Sequence, residues 1–235
     1  MRILEITLFL LFPLFLFSQD WRNIDESNIK KQGKRDIVPE AYIVVNVNDN
    51  LIKEILWNAP SEDAFINQNQ PGANLQVLLA SGELDQFSIF SYSMMEAELQ
   101  EKYPDIRTFK GVSRSNPYRN IRIDYTVHGF RAVIKDLDNS TYIDHFQRND
   151  KNHKIIYTRD GIENDSSWGC ETEDQVIEDA LIPVIGDCLF RSYRLAVTTT
   201  GEYSNYHGAD DASESALVLS AVTTSVNRIN QIYEQ

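Results

Sequence analysis

The feature that most restricts what this chain can fold into is a hairpin pattern in its middle. Ile121–Val127 and Phe130–Asp136 are two alternating, β-branched runs separated by His128-Gly129, and a glycine at that point supplies the positive φ that a two-residue turn demands. Further runs of the same kind flank it: Ala41–Val47, Leu75–Ala80, Gln86–Ser91, Ile106–Val112, Thr141–Phe146 and Lys154–Thr158. They are bounded by turn signals such as Asn48-Asp49-Asn50 and Ser81-Gly82, as strands of a sheet are. Leu51–Trp57 is apolar, but periodicity does not settle its type.

One helix is expected among the strands. Ser93-Met94-Met95-Glu96 has the form of a capping box, Tyr92, Met95, Leu99 and Tyr103 recur at helical spacing, and Pro104 ends the run. A Met pair suits an adaptable surface, yet a stripe at this spacing is ordinarily core. The expectation for 37–163 is therefore an antiparallel β-rich domain with one packed helix. An acidic linker, 164–188, holds both cysteines, Cys170 and Cys188.

The last stretch, 189–235, has a different character. Tyr193–Thr200 reads as a strand closed by Thr200-Gly201, and a helix is expected to open at Asp211, where Asp211-Ala212-Ser213-Glu214 offers an acceptor and a carboxylate. Leu219, Val222, Val226, Ile229 and Tyr233 form its apolar stripe, so that face is expected to be buried. No Gly, Pro or basic last turn stops the helix, and the chain reads as the front part of a longer protein.

At the other end, Met1–Ser18 carries Arg2, an apolar core from Leu8 to Phe17 and a small Ser18. That is the form of a secretory signal peptide, and the apolar run is shorter than the roughly 20 residues of a membrane helix. Residues 19–36 read as a polar leader; its Lys34-Arg35 pair suits either processing or a solvated tail. A net charge of −13 with no basic stripe argues against nucleic-acid binding. With 42% apolar residues the chain has material for a core. There is no G-x-S-x-G, no Gly-rich phosphate loop and no Cys-x-x-Cys, so no catalytic or cofactor-binding residue is assigned.

Two segments carry a resemblance. Arg191-Ser-Tyr-Arg-Leu-Ala-Val-Thr-Thr-Thr-Gly-Glu-Tyr203, followed by Tyr206-His-Gly208, and Val222-Thr-Thr-Ser-Val-Asn-Arg-Ile-Asn-Gln-Ile-Tyr-Glu234 resemble the opening of the catalytic domain of secreted bacterial reprolysin-type (metzincin) zinc metalloproteases. Ser91–Gly111 and Asp124–Ala132 are similar, more loosely, to the prodomain of such precursors. The resemblance implies an α+β architecture: a β-rich prodomain, then the first strand and helix of a truncated α/β catalytic domain. It implies a secreted zinc metalloendopeptidase acting on proteins or peptides, with zinc bound only in the full-length protein. The family's H-E-x-x-H-x-x-G-x-x-H is absent, and no two of His128, His145, His153 and His207 are spaced i, i+4. No metal ligand is therefore assigned, and the chain alone is expected to be inactive. Cys170 and Cys188 suit a disulfide closing a loop of about 18 residues, worth roughly 3 kcal/mol. They also leave open partners elsewhere or a free thiol, and a latency role in which Cys170 occupies the zinc's open position. A secreted, non-enzymatic β-rich binding or adhesion module is the alternative.

Overall fold

The structure is a computed structural model that describes residues 21–137, 139–161 and 194–233. Residues 1–18, read as a signal peptide, the 164–188 stretch read as a linker, and both Cys170 and Cys188 lie outside the described residues.

Nine strands form a single antiparallel sheet curled into a half-barrel. They are β1 (Arg22–Asn23), β2 (Ile43–Asn46), β3 (Ala73–Leu78), β4 (Leu84–Tyr92), β5 (Arg107–Ser113), β6 (Asn120–Thr126), β7 (Gly129–Lys135), β8 (Ser140–His145) and β9 (His153–Thr158). From β3 to β9 each strand pairs with the next in sequence, and β9 then takes β2, Val44 lying opposite Ile155. Every long run read as a strand before residue 160 is a strand of this sheet. Two-residue β1 is a further strand, and residues 21–36 run against the sheet instead of standing clear of it. Trp21 donates its indole N–H to the Gln76 carbonyl at 2.8 Å, and Ile29 is buried beside Val44, Phe146 and Ile155.

The helices depart from expectation. The segment left unassigned, Leu51–Trp57, belongs to α1 (Asp49–Trp57), whose N-cap Asn48 accepts from the Leu51 amide. Ile52 and Leu56 of α1 enter the main core, which Phe87, Ile89, Phe109, Ile121, Ile123 and Ile134 build from the inner face of the sheet. The helix expected to be packed, α3, is shorter (Ala97–Lys102) and buries none of its residues; α2 (Glu62–Ile66) precedes it. Ser93 does not cap the helix: its hydroxyl donates to the Met95 carbonyl, and the N-cap position is taken by Glu96, which makes no side-chain capping bond.

The expected α+β arrangement, a prodomain followed by the first strand and helix of an α/β catalytic domain, is overturned. The described chain is mostly β, with few helices around one sheet. Residues 194–200 form no strand. Thr200, read as the end of a strand, is instead the N-cap of α4 (Gly201–Tyr206), accepting from the Tyr203 amide. After it comes α5 (Ser215–Tyr233), entered through a 3-10 turn capped by Asp211. Its Glu214 accepts from the Asp210 amide at 2.8 Å, so the expected helix start is present. Helix α5 lies on the outer face of the same sheet, against β6 and β7.

The turn between β6 and β7 also anchors α1. Gly129 has φ of +95°, and Asp49 at the start of α1 accepts from the Tyr125 hydroxyl at 2.6 Å and the Phe130 amide at 3.4 Å. Fully buried Lys154 donates to the Phe130 carbonyl at 2.8 Å, with its Nζ 4.0 Å from Asp49. Burial pulls the Lys154 amine down to about 7 against the opposing pull of Asp49. A Cβ on Gly129 would lie 2.7 Å from Asp49 Oδ1 and would also meet an unfavourable φ. Gly129→Ala is expected to lower the unfolding free energy by more than about 1 kcal/mol, read from the urea midpoint; an unchanged midpoint would refute the role given to this turn.

Candidate functional site

Alternation along the strands puts one polar row on the outer face. Ile121, Ile123 and Tyr125 of β6 point into the core, so Arg122 and Asp124 point out. Register then aligns Tyr92, Thr108, Asp124 and Arg131 across β4 to β7, and Arg131 Nε reaches Asp144 of β8 at 3.4 Å. Charges of opposite sign thus alternate across the strands, which lowers the cost of placing them side by side.

Helix α5 closes over this row with its polar side. Ser220, Thr223, Thr224, Asn227 and Gln231 are buried. Thr224 donates its hydroxyl to Asp124 Oδ2 at 2.6 Å and Asn227 its amide to Oδ1 at 3.4 Å. Asn227 Oδ1 accepts from the Tyr92 hydroxyl, which itself accepts from Arg122 at 2.6 Å. Arg228 donates to Asp144 Oδ1 at 2.7 Å and the Tyr157 hydroxyl to Oδ2 at 2.7 Å. All four oxygens of the two carboxylates are therefore occupied by donors, an arrangement suited to holding a helix rather than to moving protons.

The two acids respond oppositely to the same burial. Burial raises the Asp124 carboxyl above its ordinary range, with Thr224 and Arg228 pulling against it. At Asp144 burial also pushes up, but Arg228 and Arg131 outweigh it and the carboxyl ends below the ordinary range.

The apolar stripe of α5 is not the buried one. Ile229 is 48% and Tyr233 82% exposed. Leu219, Val222 and Val226 line a cleft of about 1240 Å³ together with Met94, Met95 and Leu99. Residues 194–200 run along this cleft, with Leu195 and Val197 exposed and Arg194 paired to Glu96 at 2.6 Å. The reason is the sheet: an apolar helix face laid on β6 to β8 would strip Asp124 and Asp144 of water without offering donors.

The four histidines do not form a metal centre. His145 Nδ1 accepts from Arg131 at 3.2 Å, His153 pairs with Asp150 at 2.7 Å, and His207 packs between the Tyr203 and Tyr206 rings. His128 sits at the β6–β7 turn. Among the described residues no group of three His, Cys, Asp or Glu side chains could hold a metal ion, so these residues do not fit the zinc that the resemblance implies. Among them, too, no helix is long and apolar enough to cross a membrane. Sequence reasoning missed the seam residues Asp124, Arg131, Asp144, Thr224, Asn227 and Arg228. The signal was present in the helix, where 220, 224, 227 and 231 recur at the same spacing as the apolar stripe.

Comparison of the chain with protein-family models, with curated proteins and with solved structures finds no match in any of the three.

Two outcomes are expected. Thr224→Val keeps the side-chain shape but leaves Asp124 Oδ2 without its donor, and should cost about 1–3 kcal/mol in urea unfolding. The His128 imidazole is lowered from 6.5 to about 4, by burial first and then by Arg131 and His207. The unfolded chain therefore takes up this proton at higher pH than the folded one, and stability is lost as pH falls from 6.5 to about 4. His128→Gln should make the stability–pH curve shallower across that window; a curve of unchanged slope counts against it.

Proposed function

We propose that this chain is the N-terminal portion of a secreted zinc-dependent metalloendopeptidase, a part that directs export and keeps the enzyme latent. The observation that carries the reading is the resemblance of 191–203 and 222–234 to the reprolysin-type signature. Two features support it. The apolar side of α5 and residues 194–200 line one open cleft, which offers apolar side-chain contacts to further polypeptide. The N-terminal run Leu8–Phe17 has the form of an export signal. On this reading the histidines that hold zinc come from chain beyond Gln235, and none of the residues described here is assigned to the metal. The substrate class is protein or peptide, and the described residues supply support and latency rather than chemistry.

The test begins with the coding sequence after Gln235. A frame continuing into H-E-x-x-H-x-x-G-x-x-H is expected. The longest mature product should then cleave casein weakly when intact and strongly after limited proteolysis between 162 and 193, with a zinc chelator abolishing the activity. A frame that closes at Gln235, or runs on without that motif, overturns the reading. One observation favours the alternative of a non-enzymatic binding module. Helix α5 is joined to the sheet by specific buried hydrogen bonds and the Arg228–Asp144 pair, as a native part of the β-domain would be.

A further inference from the structure

The two faces of the sheet hold their helices by different physics. Helix α1 contributes Ile52 and Leu56 to the main core, and removing it would expose that core to water. Helix α5 contributes no residue to either buried hydrophobic cluster. Apart from Ala221, what it buries are hydroxyls, amides and most of the arm of Arg228, against a sheet surface of Asp124, Arg122, Asp144 and Tyr92.

Such a seam is costly to break by halves and inexpensive to open whole. Losing one partner strands a buried charge, whereas full separation returns both carboxylates and their donors to water, which repays most of what burial cost. Interfaces that come apart in use are more polar than permanent ones for the same reason. The flanking attachments lie at the surface: Tyr103 bonds Ser215 at 2.7 Å, and Arg148 holds α4 through the Tyr206 carbonyl at 2.5 Å while the Tyr206 hydroxyl reaches Asp36 at 3.1 Å.

We infer that the outer face of β6 to β8 is a docking surface for a helix presenting hydroxyl, amide and guanidinium groups, and that α5 is its releasable occupant. Helix α5 leaves as a unit while the sheet and α1 stay folded. Release uncovers the Asp124–Arg131–Asp144 row and frees both sides of α5 for other contacts. The inference does not rest on the protease reading and stands or falls separately from it.

Native-state hydrogen exchange on the whole mature chain, at low urea concentrations and resolved by mass spectrometry, tests this with α1 as the internal control. Amides of α5 should exchange through an opening with little urea dependence, and those of α1 only through global unfolding. Leu56→Ala, which weakens the core beneath α1 in the native and the α5-released states alike, should speed α1 exchange at least tenfold and leave α5 exchange unchanged in the absence of urea. Ile52→Val should act in the same direction more weakly, and it serves alone if the first variant does not fold. If α5 and α1 exchange together with the same urea dependence, or a variant speeds both equally, α5 is an integral part of the folded unit and the inference fails.

Discussion

The structure on the outer side of the sheet depends on two aspartates that had to be given donors. Asp124 and Asp144 are both nearly inaccessible, and neither could be buried in that state beneath an apolar helix. Arg131 lies between them on β7, and Arg228 arrives from α5. This requirement sets which side of α5 faces down, and therefore which side faces out. The open apolar cleft is the remainder of that choice: the residues that would ordinarily seek the core are turned away because the polar ones are needed beneath.

The inner side is organised by the opposite rule. Its core is apolar, and among the described residues polar groups enter it where Asp85 meets Ser113 and Arg119 and, at the start of α1, where Asp49 meets Lys154 and Tyr125. There a single carboxylate serves a helix start, a strand amide and a phenol. Gly129 is the position that lets the backbone come close enough for this to happen.

How much of this was legible beforehand differs by element. The strands from Ile43 to Thr158 were readable because alternation and turn residues are local signals, as at Ile121–Val127 and Ser81-Gly82. The choice of stripe on α5 was not, because two stripes of similar spacing run along that helix and only the surface opposite decides between them. Asp124 and Asp144 read as ordinary outward polar positions, and nothing near them in sequence announces Thr224 or Arg228. Ser93 failed as a cap and Thr200 succeeded as one for a related reason: both have the right side chain, and the backbone bond each one makes is settled by its neighbours in space. The described part of the resemblance, 194–233, lies on residues that here form coil, α4, a 3-10 turn and α5, so it says nothing of how this segment packs.

The pairing of β2 with β9 has a consequence for how the molecule comes into being. Val44 and Ile155 lie at opposite ends of the described β-domain, while β3 to β9 need only their immediate successors. Synthesis delivers β1 and β2 early, and the side of β2 that takes β9 has no partner until the last strand of the meander exists. Contacts so distant along the chain are slow to form. The order of assembly is thus written into the topology, with the meander first and the N-terminal strands added last, and Trp21 reaching across to Gln76 is the closing stitch.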